Sequence, residues 1–265
     1  MTRVRIDLAY DGGPFSGFAR QPGQTTVQGI LEDALHRALG AEVDLVVAGR
    51  TDAGVHALAQ VVHVDLDPTQ ERVARWLDVL AGDPADARHR LDHQVGPEIT
   101  IWGMRVVSDD FHARFSATER RYRFRIADAV PIDPRERGMV WRVQERLHVP
   151  SMRAASRHLL GEHDFASFCR RPKVGHTRRG IREISLRRTD DEIHVRLRGK
   201  AFCHQMVRSI VGCLYDVGRG REEPDWVAEV LRAQDRSVAA QVAPPHGLTL
   251  EGVSYGRGFP AAPWR

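Results

Sequence analysis

The chain has 265 residues, 42% of them apolar and 28% charged, with a formal net charge of +4 and a pI near 9.3. That length suits one large domain or two small ones, with roughly 75% of the unfolded surface buried on folding, and the apolar and charged contents are those of an ordinary soluble globular protein. The cationic side chains are nearly all Arg, Lys173 and Lys200 being the only lysines, and forked guanidinium groups suit phosphate and nucleobases. Cys169, Cys203 and Cys213 are odd in number without C-x-x-C spacing, against a disulfide framework or a zinc site. The opening Met1–Asp7 shows no signal-peptide core, and no apolar run approaches a membrane span. The expectation is a cytoplasmic protein.

Arg3 to Tyr10 alternates Val4, Ile6 and Leu8 with Arg5, Asp7 and Ala9, which predicts a half-buried strand. A loop of glycines and aromatics follows, Asp11 to Phe18. Thr25-x-x-Gln28 then reads as a capping box for a helix carrying Val27, Ile30, Leu31, Ala34, Leu35 and Leu39, closed by Gly40. Strands are predicted at Val43 to Val47 and Gln60 to Leu66. Between them lies Ala48-Gly49-Arg50-Thr51-Asp52-Ala53-Gly54-Val55-His56-Ala57, two glycines flanking a carboxylate. Such a loop turns sharply or admits a close partner, and an arginine beside a carboxylate favours its ionised form, as a nucleophile or base requires. A solvated hairpin turn is the plain alternative. Asp67-Pro68 is expected to start a helix through Leu80, and Ala81 to Asp86 to be added loop.

Tyr122, Phe124 and Ile126 alternate with Arg121, Arg123 and Arg125, a strand with one cationic face. Pro131, Pro134 and Gly138 punctuate a loop, and after Pro150 a helix runs to Gly161. The stretch from Arg170 to Arg179 is a cationic loop, with Arg170, Arg171, Arg178 and Arg179 as candidates for nonspecific phosphate contacts or for a solvated charge run. Ile184 to Thr189 and Glu192 to Arg198 form a hairpin around Thr189-Asp190-Asp191, whose Arg188-Thr189-Asp190 is a decoy without the following Ala-Gly. From His204 to Val217 a helix places Met206, Val207, Ile210, Val211, Leu214 and Val217 on one face. Arg208, Ser209, Gly212 and Asp216 are expected on the other, Gly212 leaving room beside Arg208. No G-x-G-x-x-G turn, Walker loop or H-E-x-x-H pair occurs, so no nucleotide cofactor, flavin or metal is expected.

The unbroken block from Ala48 to His56 resembles the signature of the tRNA pseudouridine synthase A family, in which the aspartate is the nucleophile. Further likeness lies in Tyr10-Asp11-Gly12, in Asp109 to Ala117, in Arg120 to Ile126, in Gly161 to Phe168 and in Ala201 to Gly212. It is weak from Asp67 to Glu98, and the family's usual Gly-Trp-Gln is here Gly17-Phe18-Ala19. The resemblance implies an α+β pseudouridine synthase fold, two similar α+β units joining antiparallel or mixed sheets around a central catalytic cleft. Residues 1–110 would carry the aspartate loop and 111–265 the partner arginine and basic loop. It further implies isomerisation of uridine in the tRNA anticodon stem-loop, at tRNA positions 38, 39 and/or 40, by a homodimer needing no cofactor. Asp52 would be the catalytic carboxylate, Tyr122 would stack on the uracil and Arg208 would pair with Asp52. Arg50 would fill the space left by the flipped nucleotide or bind its phosphate. The residues leave open whether Asp52 attacks the sugar, attacks the base or takes a ribose proton. A noncatalytic RNA-binding or folding protein and an Asp-dependent phosphotransfer enzyme are the competing classes, the latter lacking a D-x-D-G start.

Overall fold

Strand β1, Thr2–Tyr10, organises the first half of the molecule because both of its faces are buried from Val4 to Leu8. The computed structural model describes residues 1–128, 131–170, 176–189 and 192–256. They divide into two compact units, one of Met1–Thr118 with the described residues from Leu250 onward, the other of Glu119–Thr249.

In the first unit β1 pairs antiparallel with β3, His56–Leu66, in the register Val4↔Val64 and Ile6↔Val62, and on its other edge with β4, Ile99–Val106. Strand β2 is only Val46–Val47, shorter than expected, and lies on β3. The last strand, β10, Leu248–Tyr255, brings the chain back beside β3. Val4, Ile6 and Leu8 are fully buried, as alternation predicts, but Arg5 and Asp7 on the opposite face are each only 1% exposed. The half-buried reading therefore fails. Arg5 lies over the rings of Phe111 and Tyr255, 5.5 and 4.9 Å from their centroids, and bonds Asp7 at 2.6 Å, so a desolvated ion pair occupies the second face.

Helix α1, Val27–Leu39, is capped one residue later than expected, Thr26 accepting from the Gly29 amide. Gly40 closes it at φ 69°, its amide on the His36 carbonyl. Asp67 holds Thr69 in a turn instead of capping a helix, and α2 runs Glu71–Gly82. The supposed added loop is the junction to a further helix, α3, Pro84–Val95, with Asp83 as its N-cap and Ala87, Leu91 and Val95 buried.

The second unit is a sheet in the order β5, β9, β8, β7, with short β6 beside β5. Its strands are β5, Ala117–Asp128; β6, Trp141–Val143; β7, Gly161–Asp164; β8, Arg178–Thr189; and β9, Glu192–Gly199. The expected cationic face of β5 is partly neutralised, Arg125 bonding Glu192 at 2.7 Å and Glu136 at 2.5 Å. Arg188 of the decoy is bonded to buried Asp128 at 2.5 and 2.8 Å, a structural role, while Asp190 and Asp191 lie outside the described residues.

Helix α4 spans Val149–Arg157, α5 spans Met206–Gly218 and α6 spans Trp226–Ala233. Helix α5 is buried nearly all round, which corrects the two-faced reading: Ser209, Gly212 and Asp216 are inside. Gly212 leaves no open room, because a Cβ there would lie 2.0 Å from the Gln241 carbonyl oxygen. Among the described residues no helix is long and apolar enough to cross a membrane.

Candidate active site

The Asp52 loop leaves β2 at Ala48, whose amide bonds the Val61 carbonyl, and enters β3 at His56. A turn closes on Asp52 itself, its carbonyl accepting from the Val55 amide at 3.1 Å, with Gly54 at φ 76° supplying the left-handed residue. The glycine-aromatic loop then clamps this turn. Phe18 donates its amide to the Thr51 carbonyl at 3.1 Å, and Gly54 donates to the Phe15 carbonyl at 3.3 Å.

Two glycines are needed where the loops touch. A Cβ on Gly12 would lie 2.1 Å from the Val55 oxygen, and Gly17, at φ 99°, faces the backbone of Thr51 to Ala53. Beneath them the Tyr10 and Thr51 hydroxyls are 2.8 Å apart, and Gln60 donates to the Tyr10 oxygen at 3.2 Å and to the Gly49 carbonyl at 2.8 Å. Burial pushes the Tyr10 hydroxyl up to about 12, so it stays neutral. Buried His56 accepts from the Gly12 amide at 3.0 Å.

Asp52 is therefore half-buried on a loop pinned at Ala48, Gly49, Thr51, Gly54 and Val55, while the carboxylate-bearing residue itself sits at the turn. Arg50 is exposed, and its guanidinium makes no hydrogen bond or ion pair among the described residues, so its charge is available to an incoming anion. Tyr10 and Thr51 fall inside motifs read from the sequence, but their hydroxyl pair, and the part Gln60 plays in it, do not show there. The one sequence signal is a glutamine opening an otherwise apolar run.

The other residues singled out from sequence lie in the second unit. Tyr122 is 8% exposed on β5, paired across the strand with Leu197 and edge-to-face with Phe202 at 5.3 Å and 85°. Arg208, in the first turn of α5, donates through Nε to the Ala243 carbonyl at 2.8 Å and accepts the Ala243 amide on its own carbonyl at 3.1 Å. Its backbone and side chain are thus fixed to one point of the chain.

The basic stretch is not one loop. Arg178 and Arg179 open β8, paired with Asp164 and His163 of β7, whereas Arg171 lies outside the described residues. Arg170 and Arg178 are exposed. Arg179 is folded back, Nη1 bonding the His176 and Arg178 carbonyls at 2.9 and 2.6 Å. Among the described residues no cluster of three or more His, Cys, Asp or Glu is placed to hold a metal.

Known proteins match this arrangement over almost its whole length. A family model described as tRNA pseudouridine synthase covers residues 8–95 and 155–256, more than half of the chain. It runs through most of the segment from Asp67 to Glu98 in which the motif resemblance is weak. A protein of Frankia casuarinae named tRNA pseudouridine synthase A is 46% identical over 258 residues, 96% of this chain and 90% of its own. Proteins of the same name from Streptomyces avermitilis and Caulobacter sp. are 44% and 40% identical, each across 96% of this chain, and 88% and 98% of their own lengths. A chain of a solved Cbf5–Nop10–Gar1 complex superposes with a TM-score of 0.38 at 11% identity over 93% of this chain and 47% of that one, too distant to carry an argument. The chain belongs to the tRNA pseudouridine synthase family.

Proposed function

We infer that the protein is an isomerase converting uridine to pseudouridine in tRNA, with Asp52 as the reacting carboxylate. Family membership supports the reaction class. The observation that supports Asp52 is the construction of its loop. Buried hydroxyl, amide and backbone bonds hold the flanking residues.

The reaction breaks the bond from uracil N1 to the ribose anomeric carbon and joins that carbon to C5. The C5 proton is lost and N1 ends protonated, so no oxidant or second substrate is consumed. A carboxylate held on a fixed turn can supply the nucleophile without reorganising at the moment of reaction. Tyr122 offers a ring for the uracil, Arg50 a cation for the phosphate of the extruded nucleotide, and Arg208 the positive charge that pairs with Asp52. The substrate region is the anticodon stem-loop. The active species is a homodimer, because one subunit of this size contacts only part of a folded tRNA, and light scattering that gave a monomer mass with activity intact would remove this element.

The decisive experiment is pseudouridine mapping in tRNA from cells with and without the protein, combined with Asp52→Asn in vitro. The near-isosteric amide should abolish product while tRNA affinity stays equal or rises slightly. A substantial residual rate would refute the assignment of Asp52.

A further inference from the structure

A cavity of about 670 Å3 has all its described lining residues in the second unit, among them Asp164, Arg170, Gln205, Gln234, Asp235 and Arg236. The size is that of a small-molecule or nucleotide site. It is lined by none of Asp52, Arg50, Tyr122 or Arg208.

Its charge balance is the informative feature. Arg236 is half-buried, and among the described residues its bonds go to neutral acceptors: the Ser209 hydroxyl at 2.5 Å, the Ser167 carbonyl at 3.3 Å and the Gln205 amide oxygen at 3.5 Å. Removal from water is the largest influence on this guanidinium and pulls its pKa down. The two carboxylates of the wall have other partners. Asp164 accepts from the Thr177 hydroxyl at 2.5 Å and the Ala166 amide at 3.1 Å, and Asp235 accepts from the Ser237 amide at 2.9 Å. The wall also holds Arg170 and His176, both exposed, and buried Cys169. A partly desolvated cation hydrogen-bonded only to neutral acceptors among the described residues is stabilised by an arriving anion.

The backbone adds an independent sign. Gln205 at φ 63° and Gln234 at φ 50° are the only non-glycine residues in the left-handed region among those described, and both line this cavity. Such conformations cost about 1–3 kcal/mol each and gather at ligand clamps. They present two side-chain amides, each a donor and an acceptor, beside the cation.

We propose that this cavity seats a nucleoside phosphate unit, its phosphate on Arg236 and Arg170 and its base or sugar edge on Gln205 and Gln234. In the substrate complex that unit is a nucleotide of the RNA other than the uridine being isomerised. The RNA source rests on the tRNA reading above; the anion and amide chemistry does not.

The test uses the full chain with Arg236→Gln, Arg236→Lys, Gln234→Ala and, as a charge-matched control off the cavity, Arg232→Gln on exposed helix surface. A labelled anticodon stem-loop RNA is titrated by fluorescence anisotropy across a range of salt. The free monophosphates AMP, CMP, GMP and UMP, and inorganic phosphate, are titrated by thermal shift. Arg236→Gln should weaken RNA binding about fivefold to tenfold and flatten the salt slope by about one phosphate contact. Gln234→Ala should weaken binding about threefold without changing the slope, Arg236→Lys should keep the slope, and Arg232→Gln should match wild type. A nucleotide thermal shift lost in Arg236→Gln, with RNA affinity unchanged, would place a free nucleotide in the same site. Wild-type affinity and slope in both Gln234→Ala and Arg236→Gln, with no nucleotide shift, overturns the proposal, as does inorganic phosphate matching the nucleotides. Should Arg236→Gln fail to fold, Arg236→Lys and exposed Gln234→Ala still decide it: Gln234→Ala at wild-type affinity, with equal nucleotide shifts in all proteins, overturns it. Absence of pseudouridine from wild-type reactions would instead strike the tRNA reading and leave these binding results standing.

Discussion

The hydroxyls of Tyr10 and Thr51 lie 2.8 Å apart, so the residue preceding Asp52 is tied to the end of β1 through a buried oxygen pair. Tyr10→Phe keeps the ring against Phe18 but removes this bond and the acceptor that Gln60 uses. The variant should lose about 1–2 kcal/mol of stability. Its single-turnover rate should fall about tenfold, equivalent to about 1.4 kcal/mol of barrier, while RNA affinity is unchanged. Parallel urea unfolding, rapid-quench and filter-binding measurements check this. A wild-type rate in a destabilised variant would mean that the pair serves folding alone.

Gly12 and Gly13 provide a matched pair. A Cβ on Gly12 meets the Val55 carbonyl backbone at 2.1 Å, whereas one on Gly13 meets only the Asp11 side chain, at 3.2 Å. Gly12→Ala should therefore force the two loops apart at a cost of about 2–3 kcal/mol and a large loss of activity. Gly13→Ala should cost under about 1 kcal/mol. Urea midpoints and rates for the two variants make the comparison.

His63 makes the stability of the first unit sensitive to mild acid. Burial, then the charge of Arg3, lowers its pKa from 6.5 to about 4, and its Nδ1 accepts the Ala113 amide at 3.1 Å. A folded-state pKa below the unfolded one means the contribution is fully present above pH 6.5 and drains away as pH falls toward 4. The most this can amount to is roughly 3 kcal/mol. His63→Asn retains a side-chain acceptor but cannot titrate, so its unfolding free energy should vary less between pH 7 and pH 4.5 than that of wild type. Chemical denaturation at both pH values measures the difference.

The basic residues around β8 should separate into two kinds. Arg170→Ala and Arg178→Ala remove exposed charges and should each reduce the salt dependence of RNA binding. Arg179→Ala removes a group that already holds two backbone carbonyls, so it should lower thermal stability and leave the salt slope nearly intact. Equal slopes in all three variants would make this a plain solvated surface.

What the sequence disclosed follows from where the information is local. The loop at Asp52 was legible because ten consecutive residues specify one turn, and α1 because its apolar spacing and closing glycine agree. Helix α3 was not, since only Ala87, Leu91 and Val95 are buried and most of the rest is polar; the available sign was Asp83-Pro84, an N-cap followed by a first-turn proline. Period alone also misread β1 and α5. Arg5 and Asp7 look solvent-facing until Phe111 and Tyr255, distant in sequence, cover them. Gly212 looks like open space until the Gln241 carbonyl fills it. The supports of Asp52 were hidden for the same reason: Tyr10, Thr51 and Gln60 acquire a role only when three separate segments meet.

The return of the chain to the first unit at Leu250 sets a schedule for biosynthesis. The cluster of Ala48, Val61, Phe111 and Ala113 is completed by Val253 and Tyr255, and the Tyr255 hydroxyl bonds the Ala113 carbonyl at 2.8 Å. The Asp52 loop stands on this cluster through Ala48. A ribosome adding about 5–20 residues per second therefore leaves the first unit without its final strand while residues 119–249 are made. The second unit, contiguous from Glu119 to Thr249, needs no segment made after it. A released fragment ending at Thr249 should hold a folded second unit and a protease-sensitive first one, so the unit carrying the reactive aspartate is completed last although it is begun first.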